Sequence, residues 1–263
     1  MSKTKVIAFA NNKGGSGKTT SVSNVGCAMA RLGKKVLLID ADMQVNLTLS
    51  LFDEEKALGF ARNGKNIYAA IKSESDLSDF AVHTDYDGLD IVPSTPEMSE
   101  IEYELFRKKE QRAILKECLA ATVERGYYDY VIIDAPPTLG AWVMNIMCAS
   151  DFAVIPVEAS PWGLFGLANM FDFIAKSTEH NPSLEVLGIA ITKADERKNY
   201  FKETVKTLAE SEIARLFETY IRVDSAVEWS QDNSKPVVAY KKYSRSALEY
   251  MKLTKEILKY ADR

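Results

Sequence analysis

The sequence predicts an α/β protein with a doubly wound, mostly parallel central sheet flanked by helices. Short apolar runs that end in polar or acidic residues recur along the 263 residues, as is typical of parallel strands buried on both faces. Residues 6–10 form the first run, and a glycine-rich loop and a helical pattern follow it. This order of strand, loop and helix is the context of a phosphate-binding loop, so we expect a P-loop NTPase.

The glycine-rich loop spans residues 11–20, and its glycines allow backbone N–H groups to turn toward phosphate oxygens. Lys18 is expected to reach the β- and γ-phosphates, and the Thr19 hydroxyl to ligate Mg²⁺. Asn12 replaces the first glycine of the usual motif, and asparagine also tolerates left-handed backbone angles. The alternative is a glycine-rich turn without function. The residues predicted to hold the phosphates are Lys13, Gly14, Gly15, Ser16, Gly17, Lys18, Thr19 and Thr20.

The other elements follow from hydrophobic periodicity. Strands are predicted at residues 36–40, 89–93, 130–134, 151–157 and 184–192. Helices are predicted after the loop, with Val22, Val25, Met29 and Leu32 on one face, and at about 66–72, 96–125, 164–177 and 246–260. Residues 52–66 are mixed and polar, which predicts a loop or an excursion from the main fold. Residues 73–90 contain six acids and no Lys or Arg, which predicts a solvated acidic surface and not a metal site.

Acidic residues stand at the ends of two predicted strands. Asp40 ends the strand at 36–40 and is followed by Asp42, and Asp134 ends the strand at 130–134. Ligands of open α/β sheets bind at these strand ends. A strand-terminal aspartate near a P-loop is typical of a carboxylate that reaches Mg²⁺, usually through a water. The alternative is that these aspartates only cap the turns and the helix that follow them.

Composition limits the class of protein. The net charge of -4 excludes a protein that is basic throughout, but residues 193–263 carry 15 Lys and Arg against 12 Asp and Glu. Clusters such as Lys235, Lys241, Lys242 and Arg245 can bind phosphate backbones without reading sequence, although such runs are often only solvated faces. Three scattered cysteines and two histidines give no support for a metal site. No signal peptide and no long apolar run are visible, which favours a cytoplasmic protein.

The early lysine of the loop is the most specific feature. Lys13 followed by Gly-Gly-Ser-Gly-Lys-Thr resembles the deviant Walker A motif of the ParA/MinD family of ATPases. Residues 40–46 resemble the switch I pattern of that family, and residues 134–137 resemble its switch II. The resemblance extends from Lys5 to about Leu258. It implies a single ATPase domain, residues 1–263.

The resemblance also implies the cofactors and the catalytic residues. ATP and Mg²⁺ are the expected cofactors. In the family the early lysine, here Lys13, crosses the interface of an ATP-bound homodimer. Lys13, Lys18 and Asp42 would be catalytic, with Asp42 orienting the attacking water. Thr19, Asp40 and Asp134 would support the metal.

The partners follow from the same resemblance. The ATP-bound dimer is expected to bind non-specific DNA and a ParB-like protein that stimulates hydrolysis. The protein would be cytoplasmic, associated with the nucleoid when ATP is bound, without stable membrane association. Val223 and Ala226 stand where the family has arginines in its DNA-contacting segment. The predicted DNA contacts are Arg197, Lys198, Arg222, Lys241, Lys242 and Arg245, with Arg197 and Lys198 on a helix.

Other interpretations stay open at this point. One is a MinD-like ATPase that cycles on membranes through the last helix, where Leu248, Met251, Leu253 and Ile257 lie roughly on one side. Another is a ParA-like positioner of a different cargo. Residues 192–195 read Thr-Lys-Ala-Asp, which matches a guanine-selecting motif of GTPases. A metabolic enzyme of the same fold would need a substrate pocket that the sequence does not indicate.

Overall fold

The computed structural model describes residues 3–107 and 112–263, and within the first turn of one helix, residues 161–165, it describes only the backbone. Seven strands of the described part form one sheet, in the order β3-β4-β2-β5-β1-β6-β7. Every neighbouring pair is parallel except β3 and β4. The strands are β1 Lys5–Phe9, β2 Val36–Asp40, β3 Val82–His83, β4 Leu89–Val92, β5 Tyr130–Asp134, β6 Phe152–Glu158 and β7 Glu185–Thr192.

Helices connect these strands and cover both faces of the sheet. In chain order they are α1 Lys18–Arg31, α2 Asn46–Leu49, α3 Glu54–Arg62, α4 Ile67–Ser73, α5 Ile101–Phe106, α6 Ile114–Arg125, α7 Ala141–Ala149, α8 Pro161–Thr178, α9 Asn199–Glu210, α10 Ser225–Asp232, α11 Val237–Tyr240 and α12 Arg245–Ala261. Two 3₁₀ turns are present at Leu77–Phe80 and Pro96–Glu100. The prediction of a doubly wound, mostly parallel sheet flanked by helices is confirmed.

Alternation along the buried strands divides the core into two layers. Leu37 of β2 and Ile133 of β5 face a cluster that includes residues of α4, α6, α7 and α8. Leu38 and Ile132 face the opposite cluster, which includes residues of α1 and α12. Successive side chains of a strand point to opposite faces. Runs that are apolar at every position therefore specify strands covered on both sides. This is why these strands could be predicted from the sequence.

The last helix buries its apolar face inside the protein. Tyr250, Leu253 and Ile257 of α12 are buried and pack in the same cluster as residues of α1. Leu248, which was expected on that face, is exposed. Because the apolar face is already covered, the geometry weighs against a helix that lies on a membrane surface. Within residues 3–107 and 112–263, no helix is long and apolar enough to cross a membrane.

Two segments differ from the predicted elements. The single helix expected from about 96 to 125 is instead a 3₁₀ turn followed by α5 and α6, with turns at Arg107 and at 112–113; residues 108–111 of the predicted helix lie outside the described residues. α5 packs on α7, whereas α6 packs on both α4 and α7. Residues 52–66 were expected to be a loop or an excursion, but residues 54–62 form α3. This helix is capped by the Asp53 carboxylate, which accepts from the Lys56 N–H at 2.9 Å.

The acidic stretch at 73–90 is only partly a solvated surface. Asp90 is buried, accepts from the Tyr128 hydroxyl at 2.7 Å and lies 2.6 Å from His83 Nδ1. Asp76 accepts from the Thr122 hydroxyl at 2.6 Å and faces Arg125. The short strand β3 within this stretch was not predicted, since two residues are too few to show alternation. Asp90 therefore links β4 to β3 and to Tyr128, and Asp76 links the first 3₁₀ turn to α6.

Candidate nucleotide-binding site

The phosphate loop has the backbone shape that its glycines predict. Gly15 and Gly17 have φ angles of 74° and 84°, in the left-handed region that side chains disfavour. A Cβ on Gly17 would also lie 3.2 Å from Thr192 at the end of β7. The Thr192 hydroxyl donates to the Ser16 carbonyl at 2.7 Å. The loop is thus fixed against β7, with Gly17 as the N-cap of α1.

Lys18 lies inside this loop. Its Nζ atom donates to the Lys13 carbonyl at 3.2 Å, and the side chain is buried. Burial lowers the pKa of Lys18, while the nearby carboxylates of Asp134 and Asp42 oppose that shift. A buried cation beside backbone N–H groups is the arrangement that stabilises phosphate oxygens. The contact of Lys18 with the phosphates stays a prediction.

Lys13 points to the neighbouring strand–helix connection. Its Nζ atom lies 3.4 Å from Oε2 of Glu158, the last residue of β6, and 2.9 Å from Oγ of Ser160, which precedes α8. Asn11 fixes the loop beside this pair, because its side chain donates to the Pro156 carbonyl at 2.7 Å and accepts from the Lys13 N–H at 3.0 Å. In this structure Lys13 is therefore held within its own chain.

Gly166 explains why α8 can approach the loop closely. A Cβ at this position would lie 2.8 Å from Asn12 Oδ1. A larger residue would therefore require the asparagine side chain or the helix to shift.

The two strand-end aspartates lie side by side. Asp40 and Asp134 are partners in the β2–β5 register. Asp40 accepts from the Thr48 N–H and hydroxyl at 2.8 and 2.7 Å, and burial raises its pKa to about 7. Burial, reinforced by the charge of Asp40, raises the pKa of Asp134 well above its usual range, while Thr19 and Lys18 oppose the shift. Like-charge neighbours in a buried site disfavour ionisation.

The residues present fit a magnesium ion. Both carboxylate oxygens of Asp134 are buried and lack a protein hydrogen-bond partner of ordinary geometry, and a buried polar group of this kind calls for a ligand. Thr19 is near enough to influence its pKa. No group of three or more His, Cys, Asp or Glu side chains in the described part could form a metal cage. Mg²⁺ typically binds through one or two side chains, waters and phosphate oxygens, so this donor set is sufficient.

Asp42 is held by residues to which the sequence patterns assigned no role in the site. The Ser94 hydroxyl donates to the Asp42 carbonyl at 2.7 Å, and the Ser94 N–H donates to Thr48 Oγ1 at 3.1 Å. Asp42 in turn accepts from the Gln44 N–H at 3.1 Å. Ser94 and Thr48 come from separate parts of the chain, so spacing along the sequence carried no signal for them.

These elements enclose a cavity of about 890 Å³. Its floor is the phosphate loop, and its far wall is formed by the loop at 221–224 and by α10. Gln231 of α10 donates to Thr20 Oγ1 at 3.0 Å across this cavity. The volume suits a nucleotide, since ligand pockets are typically about 300–1,000 Å³.

The six residues predicted to contact DNA have different surroundings in the structure. Arg222 lines the nucleotide cavity and pairs with Glu249 at 2.5 Å and Glu196 at 3.4 Å. Arg245 donates to the Val223 carbonyl. Lys241 and Lys242 are exposed on the connection between α11 and α12.

Arg197 and Lys198 were expected on a helix, but both precede α9, which begins at Asn199. Arg197 is exposed and makes a bidentate pair with Asp195, at 2.8 and 2.9 Å. That pair lowers the pKa of Asp195 to about 2. The Asp195 carboxylate of the Thr-Lys-Ala-Asp segment therefore pairs with Arg197 at the surface.

The sheet, the glycine loop and the strand-end aspartates define a P-loop NTPase. A family model described as an AAA domain matches residues 4–186. The chain is 32% identical over 255 residues to the chromosome partitioning protein ParA of Caulobacter vibrioides, covering 97% of this chain and 94% of that protein. It is 33% identical over 254 residues to the sporulation initiation inhibitor protein Soj of Bacillus subtilis, covering 96% and 98%. The chain belongs to the ParA/MinD-type family of partition ATPases.

Solved structures agree with the fold. A structure described as cobyrinic acid a,c-diamide synthase of Mycobacterium smegmatis, with bound ADP and magnesium, superimposes with a TM-score of 0.82 at 26% identity, covering 97% of this chain and 94% of that one. An ATP complex of a McdA variant from Cyanothece superimposes with a TM-score of 0.83 at 24% identity, covering 98% of both chains. At that identity the likeness to McdA shows the fold alone.

Proposed function

We propose that this protein is an ATPase of plasmid or chromosome partition that works as one domain, residues 1–263. In this proposal it binds ATP with Mg²⁺, dimerises in the ATP-bound state, binds DNA without sequence specificity and is stimulated by a ParB-like partner. The observation that carries the proposal is the second loop lysine, Lys13. Its ammonium group reaches beyond its own phosphate loop to Ser160 and Glu158, in a chain that resembles partition proteins over nearly its full length.

The nucleotide and the metal would be held by residues already in place. Backbone N–H groups of residues 14–20 and the Lys18 ammonium would bind the phosphates. Thr19 would hold Mg²⁺ directly, and Asp134 would hold it through a water, with Asp40 beside Asp134. A bound magnesium ion would neutralise charge on the β- and γ-phosphates. The ADP and magnesium in the similar solved structure support this choice of cofactors.

Hydrolysis would depend on orientation and charge. Asp42 would orient the attacking water, because its carboxylate lines the cavity beside the phosphate loop. Lys18, and Lys13 of the opposite subunit, would stabilise the charge that develops on the transferred phosphoryl group. The Ser94 hydrogen bond holds the Asp42 backbone in place for this role.

We expect Glu158→Gln to strengthen ATP-dependent dimerisation. Lys13 must leave Glu158 and Ser160 before it can cross to a second subunit, and the substitution removes the charge but keeps the shape of its partner. The pair is about one quarter to one third exposed, and pairs of this kind contribute about 0–1 kcal/mol. Because each of the two subunits gives up one such pair, the dimer dissociation constant should fall by up to about thirtyfold, as measured by sedimentation equilibrium with ATP.

Glu185→Gln is the matched control for this experiment. Glu185 is the exposed first residue of β7, at the end of the sheet away from the loop. The Glu185→Gln substitution should leave the dimer dissociation constant unchanged. An unchanged or weaker dimer for Glu158→Gln itself would show that the pair does not restrain Lys13.

DNA binding is proposed at the exposed lysines near the start of α12. Arg197, Arg222 and Arg245 each have a polar partner within the chain. Lys198, Lys241 and Lys242 are exposed, and residues 233–248 contain no acid. Cations of this kind bind DNA phosphates without reading bases. The protein would thus be cytoplasmic, and on the nucleoid only when ATP is bound.

The decisive experiment compares DNA binding with ATP, ADP and no nucleotide across a salt series. We expect binding only with ATP, with no sequence preference, and a logarithmic salt slope of about 0.9 for each DNA phosphate that the protein neutralises. Lys241→Glu with Lys242→Glu should abolish binding and leave ATP-dependent dimerisation intact. Lys72→Glu with Lys116→Glu, on helices of the opposite layer, is the charge-matched control. Dimerisation with ATP but no DNA binding would instead favour another cargo.

A further inference from the structure

One stretch of chain contacts both loops that contain the strand-end aspartates. We call residues 94–107 the bridging segment; it follows β4 and includes α5. We call residues 40–46 the first acidic loop and residues 134–140 the second acidic loop. At the start of the bridging segment, the Ser94 hydroxyl donates to the Asp42 carbonyl of the first acidic loop at 2.7 Å. Its other end reaches the helix that follows the second acidic loop.

That second contact is a helix cap supplied by another helix. Glu102 of α5 accepts from the Ala141 N–H at 3.0 Å and from the Trp142 N–H at 3.1 Å, at the start of α7. The first N–H groups of a helix have no partner within it and favour a carboxylate. Gly140, the N-cap residue, provides no side chain. A Cβ on Gly140 would overlap Glu102 Oε1, so the glycine makes room for the cap.

A third contact links α7 directly to the first acidic loop. The Trp142 indole N–H donates to the Ala41 carbonyl at 2.9 Å, and the ring is buried. Ala41 stands between Asp40 and Asp42 in the first acidic loop. A buried carbonyl that loses its donor costs about 1–3 kcal/mol. The position of the first acidic loop therefore depends on the start of α7, which Glu102 fixes.

We propose that Glu102 and Trp142 are positioning residues that couple the two acidic loops, so that Asp42 and Asp134 take their working positions together. The proposal rests on the proposed ATPase function. Only six residues, 135–140, separate Asp134 from α7, and two of them are prolines. Proline restricts the backbone, so a shift at the start of α7 is transmitted to Asp134. The same shift reaches Asp42 through the Trp142 indole.

The first test removes a single hydrogen-bond donor. Trp142→Phe keeps an aromatic ring but lacks the N–H group that binds Ala41. We expect kcat for ATP hydrolysis to fall about tenfold, with the KM for ATP within about twofold of the original value because the phosphate loop is untouched. Trp229→Phe is the control, since Trp229 is exposed on α10. A kcat for Trp142→Phe within twofold of the original protein would overturn the proposal.

The second test follows the coupling without hydrolysis. Glu102→Gln leaves one carbonyl oxygen to cap α7, and Glu104→Gln on the same helix is the control. We expect hydrogen exchange in Glu102→Gln to rise at the amides of Ala141 and Trp142, and also at Asp42 and Gln44 in the first acidic loop. Faster exchange confined to Ala141 and Trp142 would mean a local cap without coupling, and would refute the proposal.

The two readouts separate this inference from the proposed function. If the original protein hydrolyses no ATP even with its partner and DNA, the ATPase proposal fails while hydrogen exchange still decides the coupling. If hydrolysis is present and Trp142→Phe raises the KM for ATP as strongly as it lowers kcat, the tryptophan acts on nucleotide binding and the coupling is refuted. A selective loss of kcat, together with exchange that spreads to Asp42, supports the coupling.

Discussion

Lys13→Ala should abolish ATP-dependent dimerisation and partner-stimulated hydrolysis while ATP binding remains. The Lys13 side chain points away from its own phosphate loop, and its ammonium contacts Ser160 and Glu158. Lys18 and the backbone N–H groups therefore hold the nucleotide without it. Across a dimer interface, Lys13 would supply charge that no group of the opposite subunit replaces. Removal of one such transition-state donor costs about 10²–10³ in kcat.

The measurement combines size-exclusion chromatography with light scattering, ATP titration and steady-state hydrolysis. Lys18→Ala is the informative comparison, because Lys18 is buried inside the loop and its loss should abolish ATP binding itself. Lys13→Arg keeps the charge but not the shape and should restore dimerisation only in part. A Lys13→Ala protein that dimerises normally with ATP would remove Lys13 from the interface and would contradict the function proposed above.

The strands and the phosphate loop were predictable because local patterns specify them. Runs such as residues 130–134 are apolar on both faces, and a strand ending in Asp134 needs no distant information to be recognised. Asp40 and Asp134 were predicted near one metal, and parallel pairing of β2 with β5 places them side by side. The edge shared by parallel strand ends follows from the fold class itself.

Features that depend on packing between distant segments were not predictable. α3 has an acidic first turn and an Asp53 cap, but Ala57 is its only buried residue among those described, so it shows no strong apolar stripe. Arg222 was assigned to DNA from its place in the family pattern. Its position in the cavity wall depends on Glu249 of α12, 27 residues later. No spacing in the sequence indicates that Arg222 and Glu249 form a pair.

The hydrogen bonds that hold the acidic loops show the same limit. Thr48, Ser94 and Trp142 are ordinary residue types in helices or after strands, and each acts across a long separation in sequence. The sequence identified the carboxylates because chemistry requires them at strand ends. It did not identify the groups that orient them, since many arrangements of hydroxyl and indole donors would satisfy the same backbone.

Asp42→Ala should give a protein that stays dimeric and bound to DNA after ATP is added. The Asp42 carboxylate is buried at the cavity and accepts only from the Gln44 N–H among the hydrogen bonds of the described residues, so its loss leaves the loop backbone held by Ser94. Phosphate binding by Lys18 and residues 14–20 is retained. Water orientation is lost, and a positioned acid–base group contributes about 10²–10⁴ in rate.

We therefore expect the Asp42→Ala protein to keep DNA binding and to lose ATP turnover. DNA retention on a filter or sensor surface should persist after ATP is washed out, whereas the original protein should dissociate as ATP is consumed. Asp42→Asn is the stricter comparison, because it preserves shape and the acceptor for Gln44 but cannot take a proton from water. If both variants hydrolyse ATP at the original rate, the attacking water is oriented by another group. If both fail to dimerise, Asp42 acts on assembly of the interface, and the order of binding, closure and hydrolysis proposed for this ATPase must be revised.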